Sequence, residues 1–129
     1  MNTKLLMSVS AVTLGAAGIM LSFFPEELSG SLGMNEASAI LLQVLGASYF
    51  GFAMLNWTAK ANLIGGIYSK PVALGNLAHF VMAALALAKF AFSGPNLSYI
   101  WVAAIAYAIF AILFGYVFFT SPALSNKPS

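Results

Sequence analysis

Four long apolar runs, separated by short polar or turn-rich breaks, dominate the chain. The first extends from Leu5 to Phe24 and is closed by Pro25. Glu26 to Glu36 holds all three acids together with Ser29, Gly30, Ser31 and Gly33, a composition that cannot remain in hydrocarbon and reads as a loop. Asn35 and Glu36 then supply a side-chain cap and an acid for the first turn of a second helix over 37–57. Lys60, Asn62, Gly65, Gly66, Ser69 and Lys70 make the next connection. Pro71, whose missing N–H costs nothing in a first helical turn, opens a third helix over 71–92. Ser93-Gly94-Pro95-Asn96 stops it, and a fourth helix is predicted over 98–119, ended by Ser121-Pro122.

Each run matches the roughly 20 apolar residues that cross a bilayer. The first is longer than the apolar core of a signal peptide, about 7–15 residues, and no small-x-small cleavage pattern follows it. It is therefore expected to stay as a membrane helix. The pattern as a whole predicts an all-α integral membrane four-helix bundle, with residues 1–129 as a single transmembrane domain.

Composition agrees with that reading. The 129 residues are 61% hydrophobic and 6% charged, with a mean hydropathy of +0.93, too little polar surface to cover a water-soluble globule. Five lysines, no arginine and three glutamates are too sparse to neutralise several phosphates, so nucleic acid is not an expected partner. The lysines are informative through their placement. Lys4, Lys60, Lys70 and Lys127 fall on one side of the membrane and only Lys89 near the other, where Glu26, Glu27 and Glu36 collect. By the positive-inside rule both termini of this multi-pass protein are expected in the cytoplasm. Trp57, Tyr68 and Tyr116 near the inner interface, with Tyr99 and Trp101 near the outer one, fit the aromatic belts of such a protein.

Apolar burial does not drive helices together in lipid, so close approach at small residues has to contribute. Ala11/Gly15, Ala47/Gly51, Ala84/Ala88 and Ala104/Ala108 provide one such pair in each predicted helix. Polar groups within the runs are costly unless they find partners. Asn56 ends the second helix on the inner side, while Asn76 and His79 share one face of the third, continued by Ala83, Ala86 and Phe90. Tyr49 lies seven residues before Asn56 with Ala53 between them, and Tyr107 and Tyr116 belong to the fourth helix. Tyr49, Asn56, Asn76, His79, Tyr107 and Tyr116 are thus the candidate ligand-binding residues, as the polar lining of an interior. The competing expectation is that Asn and His side chains tie helices together. Gln43, in the outer half of the second helix, is expected to make an interhelical bond.

Catalytic and cofactor chemistry find few parts. The chain has no Cys and one His, so a tetrahedral zinc set is not expected, and a bis-His haem would need a second chain. No carboxylate lies in the apolar runs, which separates the acids from His79. No metal and no cofactor are expected, and an enzyme is disfavoured. The first run also lacks the acid on which small multidrug exporters depend, and the uneven lysine distribution argues against the dual topology of small fluoride channels.

The strings Gly46-Ala47-Ser48-Tyr49-Phe50-Gly51-Phe52-Ala53-Met54-Leu55-Asn56-Trp57 and Gly65 to Pro71, followed by Asn76 and His79, resemble small four-helix bacterial membrane proteins. In general organisation the chain is similar to the broad DoxX-like group. That resemblance implies a compact bundle in a bacterial inner membrane, in a group that includes auxiliary subunits. The function expected is non-enzymatic: an accessory subunit, or a binder of a small hydrophobic ligand such as a lipid or quinone. The alternative is a small transporter or channel with a polar path around His79. Expected partners are membrane lipids, with a membrane-protein partner or a homo-oligomer in the accessory role.

Overall fold

The computed structural model describes residues 2–35, 37–61 and 69–120. Glu36, the Gly65-Gly66-Ile67-Tyr68 string, the Ser121-Pro122 stop and Lys127 lie outside them. Five helices and no strand occur among the described residues: α1 Thr3–Phe23, α2 Pro25–Ser31, α3 Ser38–Ala59, α4 Lys70–Ser93 and α5 Ser98–Thr120. The chain is all-α, and α1, α3, α4 and α5 are each long and apolar enough to cross a membrane, as expected of a multi-pass membrane protein. The chain divides into two compact units, one spanning Lys4–Ala61 with α1 to α3, the other holding α4 and α5.

In the first unit α2 replaces the loop expected after Phe24. Pro25 occupies the first helical position, where its lost N–H is harmless, and Glu26 and Glu27 place negative charge in the first turn. Gly33 ends the turn with φ 72°, the left-handed conformation that side chains resist. Its N–H bonds to the Gly30 carbonyl at 3.1 Å, and the Met34 N–H reaches the Ser29 carbonyl at 2.8 Å. This paired closure is the Schellman arrangement, which satisfies carbonyls that a helix end leaves open. Ser29, buried, adds a hydroxyl bond to the Asn35 carbonyl at 3.0 Å. Replacing Gly33 by Ala is expected to cost about 1 kcal/mol, with Gly33→Asn costing less because asparagine tolerates this conformation. Hydrogen–deuterium exchange across 25–35 measures the local loss.

Asn35 performs the capping expected of it. Its side-chain oxygen accepts from the Ser38 N–H at 3.1 Å and from the Ser38 hydroxyl at 2.9 Å. From there α3 runs antiparallel to α1: Ser10 faces Asn56, Gly15 faces Ala53, and Gly18 faces Phe50 and Gly46. The tightest approach is at Gly18 and Gly46, where backbone meets backbone. A Cβ on Gly18 would stand 2.8 Å from the Phe50 nitrogen and 2.9 Å from the Gly46 carbonyl oxygen.

Here the expected small pairs are corrected. Ala47 and Gly51 do not make the α3 contact: Ala47 is exposed, and nothing lies within 4 Å of a Cβ placed on Gly51. The buried stripe of α3 contains Leu42, Gly46, Ala53, Asn56 and Ala59, which rotates Gly51 away from it.

In the second unit α4 starts with Pro71 in its first turn and ends at Gly94, whose N–H bonds to the Phe90 carbonyl at 2.7 Å. The α5 helix returns antiparallel to α4. Lys70 lies over the Phe118 ring at one end, 5.1 Å from its centroid, and Phe92 meets Trp101 edge-on at the other, with centroids 5.0 Å apart. The core of this pair is aromatic. Phe80, fully buried, meets Tyr107 and Phe110 at 4.9 Å and stacks on Phe114 at 5.5 Å.

The spanning helices satisfy many hydroxyls within themselves, which matters where no water is at hand. Ser8, Thr13, Ser48, Thr58, Ser93 and Thr120 each donate to the carbonyl four residues back, at 2.6–3.3 Å.

Candidate functional site

Asn56 is fully buried on α3, and its side-chain amide donates to the Ser10 hydroxyl on α1 at 3.1 Å. Ser10 is also fully buried and donates to the Met7 carbonyl of its own helix at 3.0 Å. The relay Asn56 to Ser10 to Met7 is a polar clasp between two apolar helices. Ser10 was absent from the expected lining. Its position was legible, since Met7, Ser10, Leu14 and Gly18 recur at three- and four-residue intervals on one face of α1.

Tyr49 lies half-buried on the same side of α3 as Asn56. Removing the Asn56 amide tests the clasp. The Ser10→Ala/Asn56→Leu double-mutant cycle, followed by unfolding in detergent, should return a coupling of about 0.6–1 kcal/mol, the scale of hydrogen bonds between membrane helices. Zero coupling would mean that the bond contributes nothing to the pairing of α1 with α3.

The remaining candidates belong to the second unit. Asn76 is fully buried, and its amide donates to the Val72 carbonyl one turn back at 2.9 Å. His79 is half-buried and tilts against Tyr107 of α5, with ring centroids 5.6 Å apart, and meets its neighbour Phe80 edge-on at 5.0 Å. The buried stripe of α4 passes through Ala73, Asn76, Phe80 and Ala91. His79 therefore stands at the flank of that stripe, and Ala86, expected on its face, is exposed.

Tyr107 is buried against Phe80, whereas Tyr116 is half exposed. Nine residues at 3.6 per turn are two and a half turns, so the two tyrosines point to opposite sides of α5. The structure thus brings His79 and Tyr107 together and leaves Tyr116 outside their cluster. Gln43, too, is exposed and is not buried between helices. Among the described residues no three His, Cys, Asp or Glu side chains converge as metal ligands would.

One concave surface of the first unit is apolar and had no place among the expected sites. A furrow of about 270 Å³ runs along the α1/α3 pair. Ala11 and Gly15 of α1 and Ala53 of α3 form its floor, because small residues hold the two backbones close. Val12, Phe50, Met54 and Trp57 form its walls, and all four are exposed. At the Trp57 end the Lys60 ammonium rests over the indole, 3.0 Å from the ring centroid. The pattern that would have found the furrow is the alternation of small and bulky residues on adjoining faces of the two helices. No family model, curated protein or solved structure matches this chain.

Proposed function

We propose that this protein works by binding within the membrane, as a holder of a small hydrophobic molecule such as a lipid or quinone, or as an accessory subunit of a larger membrane assembly. The observation that carries the reading is the apolar furrow of α1 and α3, a concave surface whose floor is made of small residues and whose walls are bulky ones. The use of Asn56 and Asn76 in bonds to Ser10 and to the Val72 carbonyl supports it, because those amides serve the helices themselves. The reading includes a bacterial inner-membrane location, both termini in the cytoplasm, and an organisation like that of the DoxX-like group. Extraction in mild detergent followed by native mass spectrometry tests the function. Retained lipid, quinone or a stoichiometric protein partner is the expected result; a bare monomer in every detergent would overturn it.

The contact of His79 with Tyr107 favours a second reading, a small transporter or channel whose path passes these rings. Flux into reconstituted vesicles, compared between wild type and His79→Ala, decides it. Equal background leakage in both would remove transport from consideration.

A further inference from the structure

We propose that the α1/α3 furrow is a site for one acyl chain of an anionic glycerophospholipid, with the Lys60 ammonium at the mouth of the furrow engaging the lipid phosphate. The inference rests on the binding function above and names its ligand class.

Shape is the first argument. The furrow is shallow, open along its length and walled by aliphatic and aromatic groups, which suits a flexible hydrocarbon chain better than a rigid ring with polar substituents. Its floor at Ala11, Gly15 and Ala53 offers no polar side chain, so a bound molecule must bring its polar part to one end.

Charge then chooses the end and the sign. The antiparallel pairing of α1 and α3 puts the start of α1, with Lys4, at the same end of the unit as the close of α3, with Lys60. The three acids of the chain, Glu26, Glu27 and Glu36, all fall between the far end of α1 and the start of α3. The lysine end of the furrow therefore carries positive charge with no carboxylate from this unit beside it. Trp57 belongs to the furrow wall and also carries the Lys60 ammonium on its ring face, which joins the apolar site to the charge. A tryptophan next to a lysine is the side-chain pair expected at the headgroup level of a bilayer. A zwitterionic lipid would gain less there, since its own cationic group competes for the phosphate; each lysine near the surface favours an anionic lipid by about fivefold.

Trp57 is also the reporter. The chain has two tryptophans, so a Trp101→Phe background leaves Trp57 as the single indole. The full chain in that background is reconstituted in phosphatidylcholine vesicles with a small fraction of phosphatidylglycerol carrying brominated acyl chains, which quench indole on contact. Brominated phosphatidylcholine at the same fraction is the reference, and unbrominated vesicles give the zero.

The expected result is several-fold more quenching by the anionic probe than by the reference. Lys60→Gln should bring the anionic probe down to the reference level. Val12→Phe, at an exposed wall position that leaves the helix contact intact, should reduce anionic quenching by narrowing the furrow. Equal quenching by the two probes in the wild-type background would overturn the proposal. Selective quenching that survives both substitutions would also overturn it, by putting the lipid elsewhere. Loss of quenching together with dimerisation at higher protein density would assign the furrow to a second copy of the chain. If native mass spectrometry retains a quinone or a protein partner while the two probes quench alike, the general binding function stands and this ligand assignment falls.

Discussion

Replacing Phe80 by alanine is expected to produce the largest loss of stability of any single change in the α4/α5 pair. In a water-soluble core a Phe→Ala change costs about 3–5 kcal/mol, part of it transfer from water and part the cavity left behind. Here the separated helices are solvated by lipid, which is as apolar as the core, so the transfer part largely drops out. The lost contacts with Tyr107, Phe110 and Phe114 remain, and the ring is fully buried, so lipid cannot refill the space. A cost of about 2–3 kcal/mol is expected on this reasoning. Met82→Ala on the same helix, at a side chain that is 72% exposed, removes a comparable volume from a position that lipid can refill and should change little. Reversible unfolding in mixed micelles compares the two. Equal stability of the two variants would show that the aromatic cluster is not what holds α4 to α5.

A bulky residue at Gly18 should do similar damage to the first unit by the opposite route. Valine gains about 0.5 kcal/mol of helix propensity over glycine. Its Cβ would nonetheless overlap backbone atoms of Phe50 and Gly46, which cannot swing aside as a side chain does. Overpacking costs about 1–3 kcal/mol, so the clash outweighs the propensity and Gly18→Val should destabilise. Gly46→Val should behave alike, since its Cβ would stand 2.8 Å from the Gly18 carbonyl oxygen. Gly51→Val is the informative contrast: with nothing within 4 Å, only the propensity acts and stability should hold or rise slightly. Thermal denaturation of the three variants in one detergent measures the order. A Gly18→Val protein as stable as Gly51→Val would refute the close approach of α1 and α3.

The number, type and bounds of the spanning helices were legible because they follow from run length and from the residues that interrupt the runs. Pro71, Asn35 and the Ser93 to Asn96 stop act locally, and each acts as its chemistry dictates. The α2 turn was also written locally, in Pro25, the two acids after it and Gly33, but the Ser and Gly content between them outweighed that pattern. Which glycine meets which helix was not legible. Every spanning helix is apolar on all sides, so periodicity does not distinguish the face that meets protein from the face that meets lipid.

The same lack of contrast explains the polar residues. Asn56 is recognisable as a costly side chain in hydrocarbon, yet its partner is a serine forty-six positions away, among many serines able to bond within their own helices. For Tyr107 and Tyr116 helical spacing alone suffices to separate one from the other, and taking both as lining overlooked the half turn between them.

The grouping of α1, α2 and α3 within Lys4–Ala61 bears on how the protein is made. Every contact that joins α1 to α3 is formed between residues that leave the ribosome before α4 begins. The first hairpin can therefore close, with its glycines meshed and Asn56 joined to Ser10, while the second is still being synthesised. A stall placed far enough beyond residue 61 for α3 to have cleared the ribosomal exit tunnel should consequently trap an intermediate whose leading half already resists protease in the bilayer.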